Sequence, residues 1–159
     1  MTPTRARDLV LPAVLTGLLV HLLLRIGYDE LPPLPPLAGS TLAIIAVVEA
    51  AFGYSLRARI AHRPGTRPVP ALTAARAVAL AKASSLVGAI MLGGWLAVVA
   101  YALPQRDELA AAGADTTSAI VGAACAAGLI AAALWLEYCC RTPGGPDEPK
   151  DDEERRHAA

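Results

Sequence analysis

Long uncharged, mostly aliphatic runs alternate with short charged stretches along this chain, and the alternation occurs four times. About 20 residues of helix cross a hydrocarbon core, so the positions where charge stops and resumes mark candidate spans. The first, over residues 9–28, carries Pro12 in its first turn, where proline is tolerated, and Arg25 close enough to its end to snorkel. The second, over 37–56, follows Pro32, Pro33, Pro35 and Pro36 and holds one internal charge, Glu49. The third lies between Lys82 and Arg106 and extends back to Ala77 through the apolar run Ala77-Val78-Ala79-Leu80-Ala81, giving 77–103. Asp115 and Glu137 bracket the fourth, placed at 116–138. The pattern predicts an all-α, polytopic membrane protein: residues 1–141 form four transmembrane helices in an antiparallel bundle. A charged tail over 142–159 has too little apolar content to order itself.

Charge distribution adds an orientation. Of the 14 Lys and Arg residues, all but Arg25 and Arg106 fall on one side of these spans. Short loops rich in Lys and Arg stay in the cytoplasm, so both termini are expected inside a bacterial inner (plasma) membrane. Arg5 and Arg7 before a leucine-rich run also resemble a secretory signal, but no strong small-residue cleavage site follows promptly, and a retained first helix is expected. Tyr28 and Tyr101 suit the outer headgroup level, and Tyr54, Trp135 and Tyr138 the inner one. The connection over 57–76 is basic and cytoplasmic. Its first part is broken by Pro64, Pro68 and Pro70, and residues 71–82 read as helix, with Thr73 as N-cap.

Composition changes this picture little. The chain is 55% hydrophobic and 18% charged, and its apolar mass is Ala, Leu and Val, which favours helices over a barrel of alternating strands. Cys125 and the adjacent Cys139 and Cys140 form no disulfide framework and no CxxC metal site, so they read as reduced residues packed at a helix end.

Glu49 is the first candidate for chemistry, because a carboxylate within a span costs about 2.5–3.5 kcal/mol on insertion scales unless it is paired, protonated or hydrated. Lys82 is its expected intramembrane partner, and Ser84 and Ser85 supply hydroxyls nearby. Such an acid is either a structural ion pair or hydrogen-bonded anchor, or a site for a proton or cation in transport. Arg57, Arg59, Arg63, Arg67 and Arg76 lie in a stretch without acids, and are expected to contact anionic lipid of the inner leaflet. Small residues at four-residue spacing, Ser85, Ala89, Gly93 and Ala97 in the third span and Ala124, Gly128 and Ala132 in the fourth, form helix-packing faces, within the monomer or in a homo-oligomer. His21, Arg25 and Asp29 share one stripe of the first helix, read as a snorkelling arginine beside an acid and a packed histidine. No catalytic motif, metal-ligand cluster or glycine-rich phosphate cradle is present, so neither an enzyme nor a cofactor is expected, and the cations lack the interleaved aromatics of nucleic-acid binding.

The run from Pro70 to Ala89, with Arg76, then Ala81-Lys82-Ala83-Ser84-Ser85, then Gly88-Ala89 and Gly93-Gly94-Trp95, resembles an actinobacterial membrane family known as domain of unknown function 3180. The resemblance extends from Thr4 to about Tyr138. It implies a small four-span membrane protein without an established activity, associated with gene neighbourhoods for folate biosynthesis, and it marks Arg76 and Lys82 as motif positions. The expected role is structural or accessory, binding lipid or a membrane-complex partner. The alternative is a small proton- or cation-coupled transporter, or a channel-like oligomer, using Glu49 and Lys82.

Overall fold

The computed structural model describes residues 6–28, 35, 37, 39–60, 71–105 and 110–140. Four helices account for nearly all of them: α1 (Ala6–Gly27), α2 (Ser40–Ile60), α3 (Ala71–Ala102) and α4 (Ala110–Cys140). Each is long and apolar enough to cross a membrane. At 1.5 Å per residue the 32 residues of α3 and the 31 of α4 reach about 46–48 Å, well beyond a hydrocarbon core of ~30 Å. The charged tail, Asp29, and Arg63 and Arg67 of the basic loop lie outside the described residues.

Several boundaries differ from those expected. Because α1 begins at Ala6, Pro12 sits in the helix interior. The hydrogen bond it removes would have gone to the Asp8 carbonyl, four residues earlier, still within the first turn. The basic segment after residue 70 is continuous with the third span, but the helix starts at Ala71, which puts Thr73 inside it rather than at its cap. Gly39 carries the start of α2: its carbonyl accepts from the amides of Leu42 at 3.1 Å and Ala43 at 3.4 Å. α4 starts well before residue 116, so Asp115 belongs to the helix.

Consecutive helices run antiparallel, yet of the consecutive pairs only α3 and α4 pack extensively on each other. α1 packs on α3, α3 on α4, and α4 on α2, giving the spatial order α1, α3, α4, α2. The α1/α3 and α2/α4 pairs are parallel, and the antiparallel α3/α4 pair joins them. Close backbone approach sets these crossings. A Cβ on Gly93 of α3 would run into the Ala13 carbonyl of α1, and one on Gly39 would lie 2.6 Å from the Gly122 Cα of α4, whose other neighbour is the Trp95 indole.

The buried set is built from small and polar side chains, with Ala119, Ala126, Ala133, Ser85 and Thr116 beside Leu129 and Leu136. Large aliphatics face outward, among them Leu11, Leu15, Leu18, Leu22 and Ile26 of α1 and Val47 of α2. One apolar cluster joins Leu24, Trp95, Val98, Ala119, Ala126 and Leu129; a second, towards the other end, joins Leu56, Ala77, Ala81, Leu136 and Cys140.

Candidate functional site

Glu49 stands near the middle of α2, on the face that Gly53, one turn later, lays against α4. A Cβ on Gly53 would be 3.4 Å from the Leu136 Cα, and this close approach draws Glu49 inward to 3% exposure. The Ser84 hydroxyl of α3 donates a hydrogen bond to Glu49 Oε1. The second oxygen, Oε2, is shut from solvent and has no hydrogen-bond partner among the described residues.

Around this pair α2 and α3 diverge. A groove of about 460 Å³ opens between them, walled by Leu42, Ile44, Ile45 and Val48 of α2 and Leu80, Ala83 and Val87 of α3, with Leu129 of α4 beneath. Among the described residues that line it, Glu49 and Ser84 are the side chains bearing polar atoms. The arrangement presents one acceptor-rich polar spot inside an otherwise aliphatic wall.

The donor that reaches Glu49 is thus Ser84. Lys82 is half-buried two residues earlier, about 200° around the helix, so a helix that aims Ser84 at Glu49 turns Lys82 to another face. Ser85, 1% exposed, donates to the Lys82 carbonyl at 2.9 Å. With Ala89, Gly93 and Ala97 it forms a wholly buried stripe, because α3 is covered by α1 and α4 on two sides. The stripe of α4 behaves differently: Ala132 is buried, but Ala124 and Gly128 are exposed. A four-residue repeat drifts about 40° per step around a 3.6-residue helix, so this one begins outside and only its last member reaches the interior. The interior face of α4 runs instead through Ala119, Gly122, Ala126, Leu129, Ala133 and Leu136.

Among the basic residues, Arg57 is exposed at the end of α2, its guanidinium 5.5 Å from the Trp135 ring centre and 6.0 Å from that of Tyr138. Arg76 is exposed on the first turns of α3, and only the backbone of Arg59 is described.

A second polar cluster occupies the opposite end. Tyr28, just beyond α1, donates its hydroxyl to Asp115 Oδ2 of α4 at 2.8 Å. Tyr101 of α3 packs against Tyr28 with ring centres 4.9 Å apart, and His21 meets the edge of Tyr101 at 6.2 Å. Asp115 is only 4% exposed and Glu137 only 6%, so two residues that read in sequence as markers of span limits are buried acids within α4. The helix-favouring Ala run from 110 to 114 carries the signal that α4 begins before Asp115. Among the described residues no three His, Cys, Asp or Glu side chains converge as a metal site requires.

No curated protein and no solved structure matches this chain. A family model does, over residues 9–144, covering all four helices and the groove between them. The chain therefore belongs to the family described as protein of unknown function DUF3180.

Proposed function

We propose that this is a multi-pass protein of a bacterial plasma membrane, actinobacterial by its family resemblance, with both termini cytoplasmic. Its role is accessory: it holds lipid or a partner within a membrane complex and carries out no reaction of its own. The observation behind this reading is the reversed distribution of side chains, with bulky aliphatics outside and Ala, Ser, Thr and acids within. In water an outer surface carrying Leu11, Leu15, Leu18, Leu22 and Ile26 on one helix would drive aggregation, whereas in lipid it costs nothing and the small interior lets helices approach closely. Arg57 and Arg76, both exposed, sit at the cytoplasmic end in this orientation, where each cation gains about 1 kcal/mol near anionic headgroups.

Transport through Glu49 is the weaker reading. The groove that reaches this acid is walled by aliphatic side chains, which would not hydrate a moving proton or cation. Reporter fusions test the orientation: alkaline phosphatase should be active when fused at Pro33 or Arg106 and inactive at Pro64 or Pro149, and the reverse pattern would overturn the topology. Proximity labelling from the C-terminus in native membranes then tests the role, with repeated recovery of one membrane complex expected. Proton-coupled flux in proteoliposomes that Glu49→Gln abolishes would replace the accessory role with transport.

A further inference from the structure

We propose that the groove between α2 and α3 binds a membrane-dissolved apolar molecule whose single polar group is a small hydrogen-bond donor, a long-chain alcohol or amine. The inference rests on the membrane reading above and adds a ligand class to it. Three features of the groove select the occupant.

The first is the unmet acceptor at Glu49. Its Oε1 accepts from Ser84, while Oε2 is buried without a donor. An unmet buried acceptor is costly, and the backbone amides of α2 around it are committed to the helix. The terminal torsion of a glutamate side chain is broad and soft, so a small rotation presents this oxygen to a donor arriving along the groove. Water is a poor substitute, since an ordered molecule requires two to four polar partners and the remaining walls offer none.

Depth is the second. Glu49 lies nine residues from Ser40 and eight from Arg57, the limits of the apolar span of α2, roughly 14 and 12 Å along the axis. A phospholipid headgroup held at the interface does not reach that level, and its phosphodiester carries only acceptors, which the carboxyl does not complement. One hydroxyl or amine on a hydrocarbon chain does reach it, because it brings a single polar group into the hydrocarbon and satisfies that group on arrival.

Size and wall chemistry are the third. A volume of about 460 Å³ falls within the ~300–1,000 Å³ typical of small-molecule sites that combine apolar walls with few polar groups. Ile45, Val48, Val87 and Leu129 supply those walls, and the groove lies along the outside of the helix row, so a ligand enters sideways from the bilayer.

Photolabelling of the full chain in phospholipid nanodiscs tests this. The probes are hexadecanol carrying a diazirine beside its hydroxyl, and the methyl ether of the same compound, which keeps the chain but loses the donor. The alcohol should label residues around Ile45, Val48 and Val87 about fivefold more than the ether, the factor one hydrogen bond contributes. Glu49→Leu should bring the two probes to equal yield, and Val48→Trp, which fills the groove without touching the carboxyl, should suppress both. Equal labelling of wild type by the two probes would overturn the proposal, as would a preference that survives Glu49→Leu, or adducts confined to α1. Disulfides between two copies of a Val48→Cys variant that lacks the native cysteines would assign the groove to self-association instead. Should Glu49→Leu fail to assemble, the probe ratio in wild type together with Val48→Trp decides. The phosphatase fusions report insertion independently, so loss of donor preference in a correctly inserted protein counts against the site alone.

Discussion

Two buried acids in this molecule have opposite surroundings. Asp115 sits near one end of the helix row, where Tyr28 reaches across from α1 and donates to it at 2.8 Å under the cover of Tyr101. Glu49 sits midway along α2, with one oxygen served by Ser84 and the other by no described residue, beside an apolar groove. The difference follows from position. A helix end lets a long side chain from a neighbouring chain segment fold over the acid, whereas mid-helix backbone is already hydrogen-bonded and only a side chain on a facing helix can help. The Asp115 cluster therefore behaves as a clasp that ties α1 to α4, and the Glu49 pair as a site kept incomplete.

The comparison breaks most severely if α1 is moved. Gly93→Leu places a side chain where the Ala13 carbonyl now lies, at a cost of about 3 kcal/mol. Tyr28 is lifted away from Asp115 with the helix, while the groove on the far side of α3 stays formed. Unfolding in detergent titrated with dodecyl sulfate should show the loss. Disulfide trapping between Val20→Cys and Gly94→Cys, in a background without native cysteines, should be efficient in the parent and lost when Gly93→Leu is added. Wild-type stability in Gly93→Leu would mean that α1 is not held by this crossing.

A smaller effect isolates the clasp itself. Tyr28→Phe and Asp115→Ala should each cost about 1–2 kcal/mol, and the double variant should cost little more than either, because both remove the same hydrogen bond. Additive losses in that cycle would separate the two residues. Smaller again is the tether at the other end, where Arg57 lies over Trp135 and Tyr138 and fastens α2 to α4. Arg57→Ala should cost about 0.5–1 kcal/mol and Arg57→Lys less than that, since a cation over an aromatic face is retained. A loss for the lysine variant equal to that for alanine would point to the planar guanidinium rather than to its charge.

Much of this architecture is legible in sequence, because charge is excluded from the interior of a span. Four helices, the isolation of Glu49 and the proximity of Ser84 all follow from where charged and hydroxyl residues fall. Pairing is not legible. Helices that are apolar all round carry no periodic stripe to say which face meets a neighbour, so nothing in the pattern sets α1 beside α3 instead of α2. Asp115 and Glu137 were hidden by the same rule that located the spans: a charge at the edge of an apolar run reads as its end, and only the Ala-rich turns before Asp115 betray that the helix continues. The groove was equally hidden. It exists because α2 and α3 both pack on α4 without packing closely on each other, and that arrangement is written in no single segment.

The finest test of the contrast is one of sign. If Asp115 is a satisfied clasp and Glu49 an incomplete site, removing the first destabilises and removing the second does not. In Glu49→Leu the unmet oxygen is gone, aliphatic walls gain an aliphatic neighbour, and the Ser84 hydroxyl can turn to the Leu80 carbonyl, four residues back on its own helix. The variant should be neutral, or more stable by up to ~1 kcal/mol, in nanodiscs without added ligand. Adding hexadecanol should then raise the melting temperature of wild type more than that of Glu49→Leu, which keeps the apolar walls but binds the alcohol more weakly, because a ligand stabilises a state in proportion to its affinity for it. A clear loss of stability in Glu49→Leu without ligand would place Glu49 beside Asp115 as a structural clasp, and the difference between the two ends of the molecule would then be one of depth alone.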